Sequence, residues 1–160
     1  MAYRKIETEY EEFSSTEELE PEDRELCLAA EEALKGSYAP YSGFNVGAAV
    51  RLSDGSIFTG ANQENAAFPS GLCAERTAMF SAHCHFPDKA MTAIAITGGE
   101  GGKVSDGITA PCGACRQVMA EYQKLGGRNM AVIFYGKHTV LKFKRVDDIL
   151  PFIFTNLDNR

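Results

Sequence analysis

Apolar residues recur along this chain in two rhythms. Between Pro21 and Lys35, Leu26, Ala29, Ala30, Ala33 and Leu34 share one face of a 3.6-residue period, and Gly36 ends the pattern; this predicts a first helix. Val46 to Leu52 and Ile57 to Gly60 read as strands, and Asp54-Gly55 between them is a hairpin signal. A second helix is predicted over Cys73 to Phe86, where Ala74, Ala78 and Ala82 favour helix and Pro87 stops it. Met91 to Thr97 is a further strand, and the run from Arg116 to Leu125, bounded by Pro111 and Gly126-Gly127, is a third helix. Strands follow at Met130 to Tyr135 and Thr139 to Phe143, and Val146 to Phe154 is expected to close the chain as a short helix. Helices interleaved with strands indicate an α/β layered fold.

Ahead of the first helix the pattern changes. Residues 1–20 carry Glu7, Glu9, Glu11, Glu12, Glu17, Glu18 and Glu20. Ile6, Thr8 and Tyr10 alternate with glutamates there, which allows a short half-exposed strand within a solvated extension. The expected organisation is thus an acidic lead, 1–20, and one domain, 21–160. A chain of 160 residues buries roughly 70% of its unfolded surface as a single domain.

Charge and cysteine usage narrow the function classes. The net charge is −6, whereas polynucleotide binding draws its affinity from a basic surface. A small uncharged substrate is expected, with no nucleic-acid partner. No apolar run approaches the roughly 18 residues of a membrane span, and the N-terminus lacks an apolar signal core; no membrane partner is expected. Five cysteines is an odd number, and three are better explained by metal than by disulfides, which points to the reducing cytoplasm.

Those three cysteines carry the chemistry. Cys73-Ala74-Glu75 and Pro111-Cys112-Gly113-Ala114-Cys115 supply three soft ligands and one carboxylate that has no need to bind metal. Cys112 and Cys115, three apart, share a helix face and can reach one ion. Cys73 and Glu75 lie about 200° apart around a helix, so Cys73 is expected over the N-terminus of its helix rather than on its side. Two positive helix ends would then face the thiolates. A C-x-x-C pair alone suits structural zinc or a redox dithiol as well as catalysis. Three cysteines beside a glutamate form the open arrangement, in which a metal activates water and a carboxylate moves protons. Three thiolates overcompensate a doubly charged ion, so a cation near the sulfurs should restore acidity; Arg76 and Arg116 are the candidates.

With these motifs the chain resembles the zinc-dependent cytidine deaminases, specifically the small, three-cysteine, homotetrameric branch. The resemblance runs from about Leu26 to Phe154. It is carried by Tyr38-Ala39-Pro40-Tyr41-Ser42-Gly43-Phe44, Asn62-Gln63-Glu64-Asn65-Ala66, Gly71-Leu72-Cys73-Ala74-Glu75-Arg76-Thr77-Ala78 and Pro111-Cys112-Gly113-Ala114-Cys115-Arg116-Gln117. It implies a layered fold with a central mixed β-sheet flanked by helices, and one Zn2+ per subunit on Cys73, Cys112 and Cys115. It implies hydrolysis of cytidine and 2′-deoxycytidine to the uridines and ammonia, in pyrimidine salvage, with Glu75 as proton carrier. The implied substrate contacts are Phe44 on the nucleoside, Asn62 and Glu64 on the ribose, and the backbone at Ala74 and Ala110 on the base. Arg76 would lie behind the sulfurs. The resemblance also implies an aromatic that reaches a neighbouring subunit's site; Phe154, three residues after Pro151, matches that position, with Phe152 in the same Phe152-Ile153-Phe154 run as the alternative.

Other features are expected to be structural. His83, Cys84 and His85 lie roughly three turns along the second helix from Cys73, too far to share its metal. Gly98-Gly99-Glu100-Gly101-Gly102 lacks the Gly-Lys-Ser/Thr ending of a phosphate loop and is expected to be a flexible connection. Cys27 is expected to be a small buried residue. Against the nucleoside reading stand a relative acting on another small amine and a zinc-stabilised module without chemistry.

Overall fold

The computed structural model describes residues 1–155. Six strands form one sheet: β1 (Glu11–Phe13), β2 (Phe44–Leu52), β3 (Ile57–Ala61), β4 (Met91–Glu100), β5 (Ala131–Tyr135) and β6 (Val140–Phe143), in the order β1-β6-β5-β4-β2-β3. Three helices accompany them: α1 (Pro21–Ala33), α2 (Ala74–His85) and α3 (Gly113–Leu125). All neighbouring strands run antiparallel except β4 and β5, which are parallel. A parallel pair requires a crossover, and α3 lies within it. The sheet is therefore mixed, as the family resemblance implies.

Alternation along the strands sorts the core into two layers. Ala93 and Ala95 of β4 and Ile133 of β5 pack with Leu26, Cys27 and Ala30 of α1. Ile94, Ile96, Val132 and Phe134 face the other way and pack with Ala78, Met79 and Ala82 of α2 and Met119 and Ala120 of α3. The helix carrying Cys73 and the helix carrying Cys112 thus share one face, which is the condition for their sulfurs to meet. Cys27 is fully buried and its thiol is pushed up to about 12, chiefly by burial. At the far face, buried Asp23 near the start of α1 accepts from Arg51 of β2 at 2.9 Å and Lys142 of β6 at 2.6 Å. These ion pairs tie α1 across four strands of the sheet.

The approach of α2 to the sheet depends on Gly60. A methyl group there would lie 2.4 Å from the Ala78 nitrogen and 2.7 Å from the Ala74 oxygen, both helix backbone. Gly60→Ala is therefore expected to push the first turns of α2 outward and to destabilise the protein by about 1–3 kcal/mol. Urea denaturation of the variant measures the loss, and an unchanged midpoint would show that α2 tolerates the shift.

Three sequence expectations are revised. Val146 to Phe154 is not a helix: only Val146–Asp148 forms a 3-10 turn. Pro151 explains this, because it lacks an N–H and drives the residue before it out of the helical region. Gly98, Gly99 and Glu100 are not a loose connection but the end of β4, paired with Val46, Asn45 and Phe44. Glycine suits Gly99 because a methyl there would sit 2.0 Å from the Lys103 oxygen. In the lead, the strand forms at Glu11–Phe13 rather than over Ile6 to Tyr10, and it pairs with Val140 to Lys142 on the sheet edge. No helix among the described residues is long and apolar enough to cross a membrane. The expected domain, 21–160, ends outside the described residues.

Candidate active site

Cys73 and Cys112 occupy equivalent places. Each is the residue immediately before a helix, with extended backbone (φ −71°, ψ 153° and φ −67°, ψ 166°), so the N-termini of α2 and α3 converge. Cys115, one turn into α3, adds a third sulfur from below. The Cys73 and Cys112 sulfurs are 4.0 Å apart, those of Cys112 and Cys115 are 3.5 Å apart, and all three lie within 4.8 Å of one another. Tetrahedral zinc with Zn–S bonds of about 2.3 Å places sulfurs about 3.8 Å apart, so this triangle has the right size. Among the described residues it is the one cluster of this kind; His83, Cys84 and His85 do not join it.

Charge around the sulfurs supports metal binding. Arg76 donates from Nη2 to the Cys73 sulfur at 3.4 Å. Hydrogen bonding from the Cys115 thiol and then from Arg76 lowers the Cys73 thiol to about 5. Cys115 is pushed the other way, first by its bond to Cys73 and then by burial. Arg116 is occupied elsewhere: it donates to the Pro111 oxygen at 3.0 Å and the Ile149 oxygen at 2.9 Å. The choice between the two arginines, open from sequence, resolves to Arg76 by geometry.

Glu75, next along α2, is 3% exposed. Burial holds its carboxyl above the usual carboxylate range, and the charge on Cys73 adds to the shift. A carboxyl that retains a proton more readily than usual, beside a metal site, suits proton transfer near neutral pH.

A cleft of about 550 Å³ opens at Cys73 and Arg76 and is also lined by Asn62, Glu64, Tyr41, Ser42 and Phe68. Asn62 lies just past β3. Its side-chain oxygen accepts from the Val46 N–H at 2.8 Å and from the Ser37 hydroxyl, and its amide donates to the Phe44 oxygen at 2.9 Å. Glu64 accepts from the Tyr41 and Ser42 N–H groups at 2.8 and 3.2 Å and from the Ser42 hydroxyl. These bonds, the hydroxyl first, hold its carboxyl below the ordinary value. The sequence leaves both residues free to meet a ligand and gives no sign of their bonds to Ser37, Ser42 and Tyr41, although Tyr41-Ser42-Gly43 lies within the Tyr38 to Phe44 stretch that the family shares. Gly43 adopts φ 68°, a turn conformation that brings the 38–44 loop back on Glu64.

The family model for the cytidine and deoxycytidylate deaminase zinc-binding region matches residues 20–126, a span holding all three cysteines and Glu75. The chain belongs to this family.

Its relatives agree. The cytidine deaminase of Halalkalibacterium halodurans is 46% identical over 100 residues, covering 62% of this chain and 71% of that one. The cytidine deaminase of Mycobacterium tuberculosis is 36% identical over 122 residues, covering 76% and 81%. The crystal structure of cytidine deaminase from Burkholderia pseudomallei superposes with a TM-score of 0.68 at 41% identity, covering 81% of this chain and 97% of that one. The zinc-binding character of the family and the sulfur triangle agree on zinc as the metal. The remaining expected contacts are less uniform. Phe44 is half-buried at the start of β2, Ala74 is buried as the first residue of α2, and Ala110 is exposed just before Pro111. Phe154 is 73% exposed and lies outside the cleft lining; its carbonyl accepts from Gln117 at 2.8 Å.

Proposed function

We propose that this deaminase hydrolyses cytidine, and 2′-deoxycytidine, to the corresponding uridine and ammonia. The observation that carries the reading is the open triangle of Cys73, Cys112 and Cys115 with buried Glu75 beside it. Zinc bound there would supply the Lewis acidity that makes a water nucleophilic near neutral pH. Glu75 takes a proton from the attacking water, passes it to the ring nitrogen of the base, and helps protonate the departing amine. Arg76 donates to the Cys73 sulfur and would there offset the negative charge of the three thiolates around a bound zinc.

The sugar contacts follow from hydrogen-bond inventory. Asn62 has two amide protons, one given to Phe44, and its oxygen already accepts two bonds. Glu64 has two acceptor sites filled on Oε2 and one on Oε1. One N–H and one lone pair remain, which suit a single sugar hydroxyl that accepts from the first and donates to the second. If both groups serve one hydroxyl, a second finds no partner in this pair, and a nucleoside lacking that second hydroxyl would still be bound. This supports use of both ribo- and deoxyribonucleosides. Phe44 and the backbone at Ala74 and Ala110 would frame the base.

The catalytic domain is taken as residues 21–160, with residues 1–20 a lead that docks on it through β1 at the sheet edge. A homotetramer is proposed on the family resemblance; in it a neighbour would cover Phe152 and Phe154, 92% and 73% exposed, and Phe154 would complete the adjoining site. A cytoplasmic location agrees with five free cysteines. Ammonia release from cytidine by the zinc-loaded protein tests the reaction: turnover is expected, and none with metal verified would overturn it. A monomeric mass by sedimentation would remove the role of Phe154.

A further inference from the structure

Ser42 makes three hydrogen bonds, two of which converge on one carboxylate. Its hydroxyl donates to Glu64 Oε1, its backbone N–H reaches Glu64 Oε2 at 3.2 Å, and its Oγ accepts the Phe44 N–H at 3.0 Å. The last bond matters for direction. With an Oγ lone pair engaged by Phe44, the rotation of the hydroxyl is set and its proton is aimed at Glu64. Oε2 is held independently by two backbone N–H groups, so the serine hydroxyl is what prevents the carboxylate from pivoting about that oxygen.

We propose that Ser42 is a positioning residue for nucleoside recognition, fixing the Glu64 carboxylate so that the remaining lone pair of Oε1 points into the cleft. This rests on the reading of Glu64 as a sugar contact. Apart from the Phe44 N–H bond to Oγ, the loop is held by its backbone. Its two ends are joined by backbone bonds from Tyr38 to Asn62 at 2.9 Å and from Glu64 to Tyr38 at 2.8 Å, and its turn is closed by Gly43 to Ala39 at 3.0 Å. Removing the hydroxyl therefore loosens a carboxylate within an otherwise intact loop. Ser42 shares the cleft with Cys73, but its bonds go to Glu64 and Phe44 and not to a sulfur, so its substitution leaves the three ligands in place.

The test compares steady-state kinetics of the zinc-loaded parent, Ser42→Ala, Ser42→Thr and Glu64→Gln on cytidine and on 2′,3′-dideoxycytidine, which lacks both secondary sugar hydroxyls. Ser42→Ala is expected to raise KM for cytidine about tenfold, the size of one hydrogen bond to a charged group, with the loss in KM rather than kcat. On dideoxycytidine, which makes no use of the oriented lone pair, the same substitution shifts KM by less than about twofold. Ser42→Thr, which keeps the hydroxyl, restores the cytidine value. Equal losses on both substrates would show a general loop defect and overturn the proposal. So would an unchanged cytidine KM in Ser42→Ala while Glu64→Gln raises it. If Glu64→Gln itself leaves the cytidine KM unchanged, the sugar role of Glu64 fails first and the role of Ser42 falls with it.

Discussion

Glu75→Gln lowers kcat on cytidine by about 10²–10⁴, the usual contribution of a positioned acid/base group. The substitution keeps the shape of the side chain and removes its ability to take and return a proton. Glu75 is 3% exposed and burial already favours its neutral form, so a neutral amide of equal size should not lower the melting temperature. The three sulfurs are untouched, so zinc content stays at one per chain. Ammonia release, metal analysis and a thermal melt on the same preparation separate these effects. Near-normal turnover in the variant would remove Glu75 from the mechanism; lost zinc would make it a ligand instead of a proton carrier.

Cys115→Ala is expected to abolish zinc binding and turnover together, and to lower stability as well. Cys115 is fully buried in the core shared by α2, α3 and the sheet. A ligand present at a thousand times its Kd stabilises the folded state by about 4 kcal/mol, which for a chain of this size corresponds to roughly 10 °C in Tm. The parent protein treated with a chelator should fall by a similar amount, whereas Cys115→Ala should not respond to chelator. That pair of melts distinguishes metal loss from the small cavity left by the sulfur. Full zinc occupancy in Cys115→Ala would refute the ligand set.

The helices and central strands are legible because their apolar periods are long and their ends are punctuated. Pro87 and Gly126-Gly127 stop α2 and α3 near where the sequence places the stops. The metal cluster is legible for a similar reason: C-x-x-C spacing at a helix start leaves few arrangements. The sequence misleads where a long-range contact overrules local chemistry. Gly98 and Gly99 look like a loop, yet they are strand residues because neighbouring backbone comes too close for any side chain. The hydrogen bonds of Asn62 and Glu64 come from residues 16 to 25 positions away, a pairing that no local pattern encodes. Arg76 and Arg116 are equivalent as neighbours of cysteines in sequence. Only the carbonyls of Pro111 and Ile149 take Arg116 out of contention.

Cys73 and Cys112 both stand at helix N-cap positions, and neither makes a side-chain cap hydrogen bond. Serine, threonine, aspartate and asparagine are the residues usually found in that slot, worth about 1 kcal/mol each over alanine. The first turns of α2 and α3 therefore begin without the customary restraint, and their leading amides point toward the sulfurs. Fraying of these two helix ends and opening of the metal site become a single motion. Amide hydrogen exchange in the opening turns of both helices would then report zinc occupancy, rising in step on metal loss although the two segments lie 39 residues apart in the chain. It also closes a common route to a hardier protein, because improving either cap by substitution would remove a ligand.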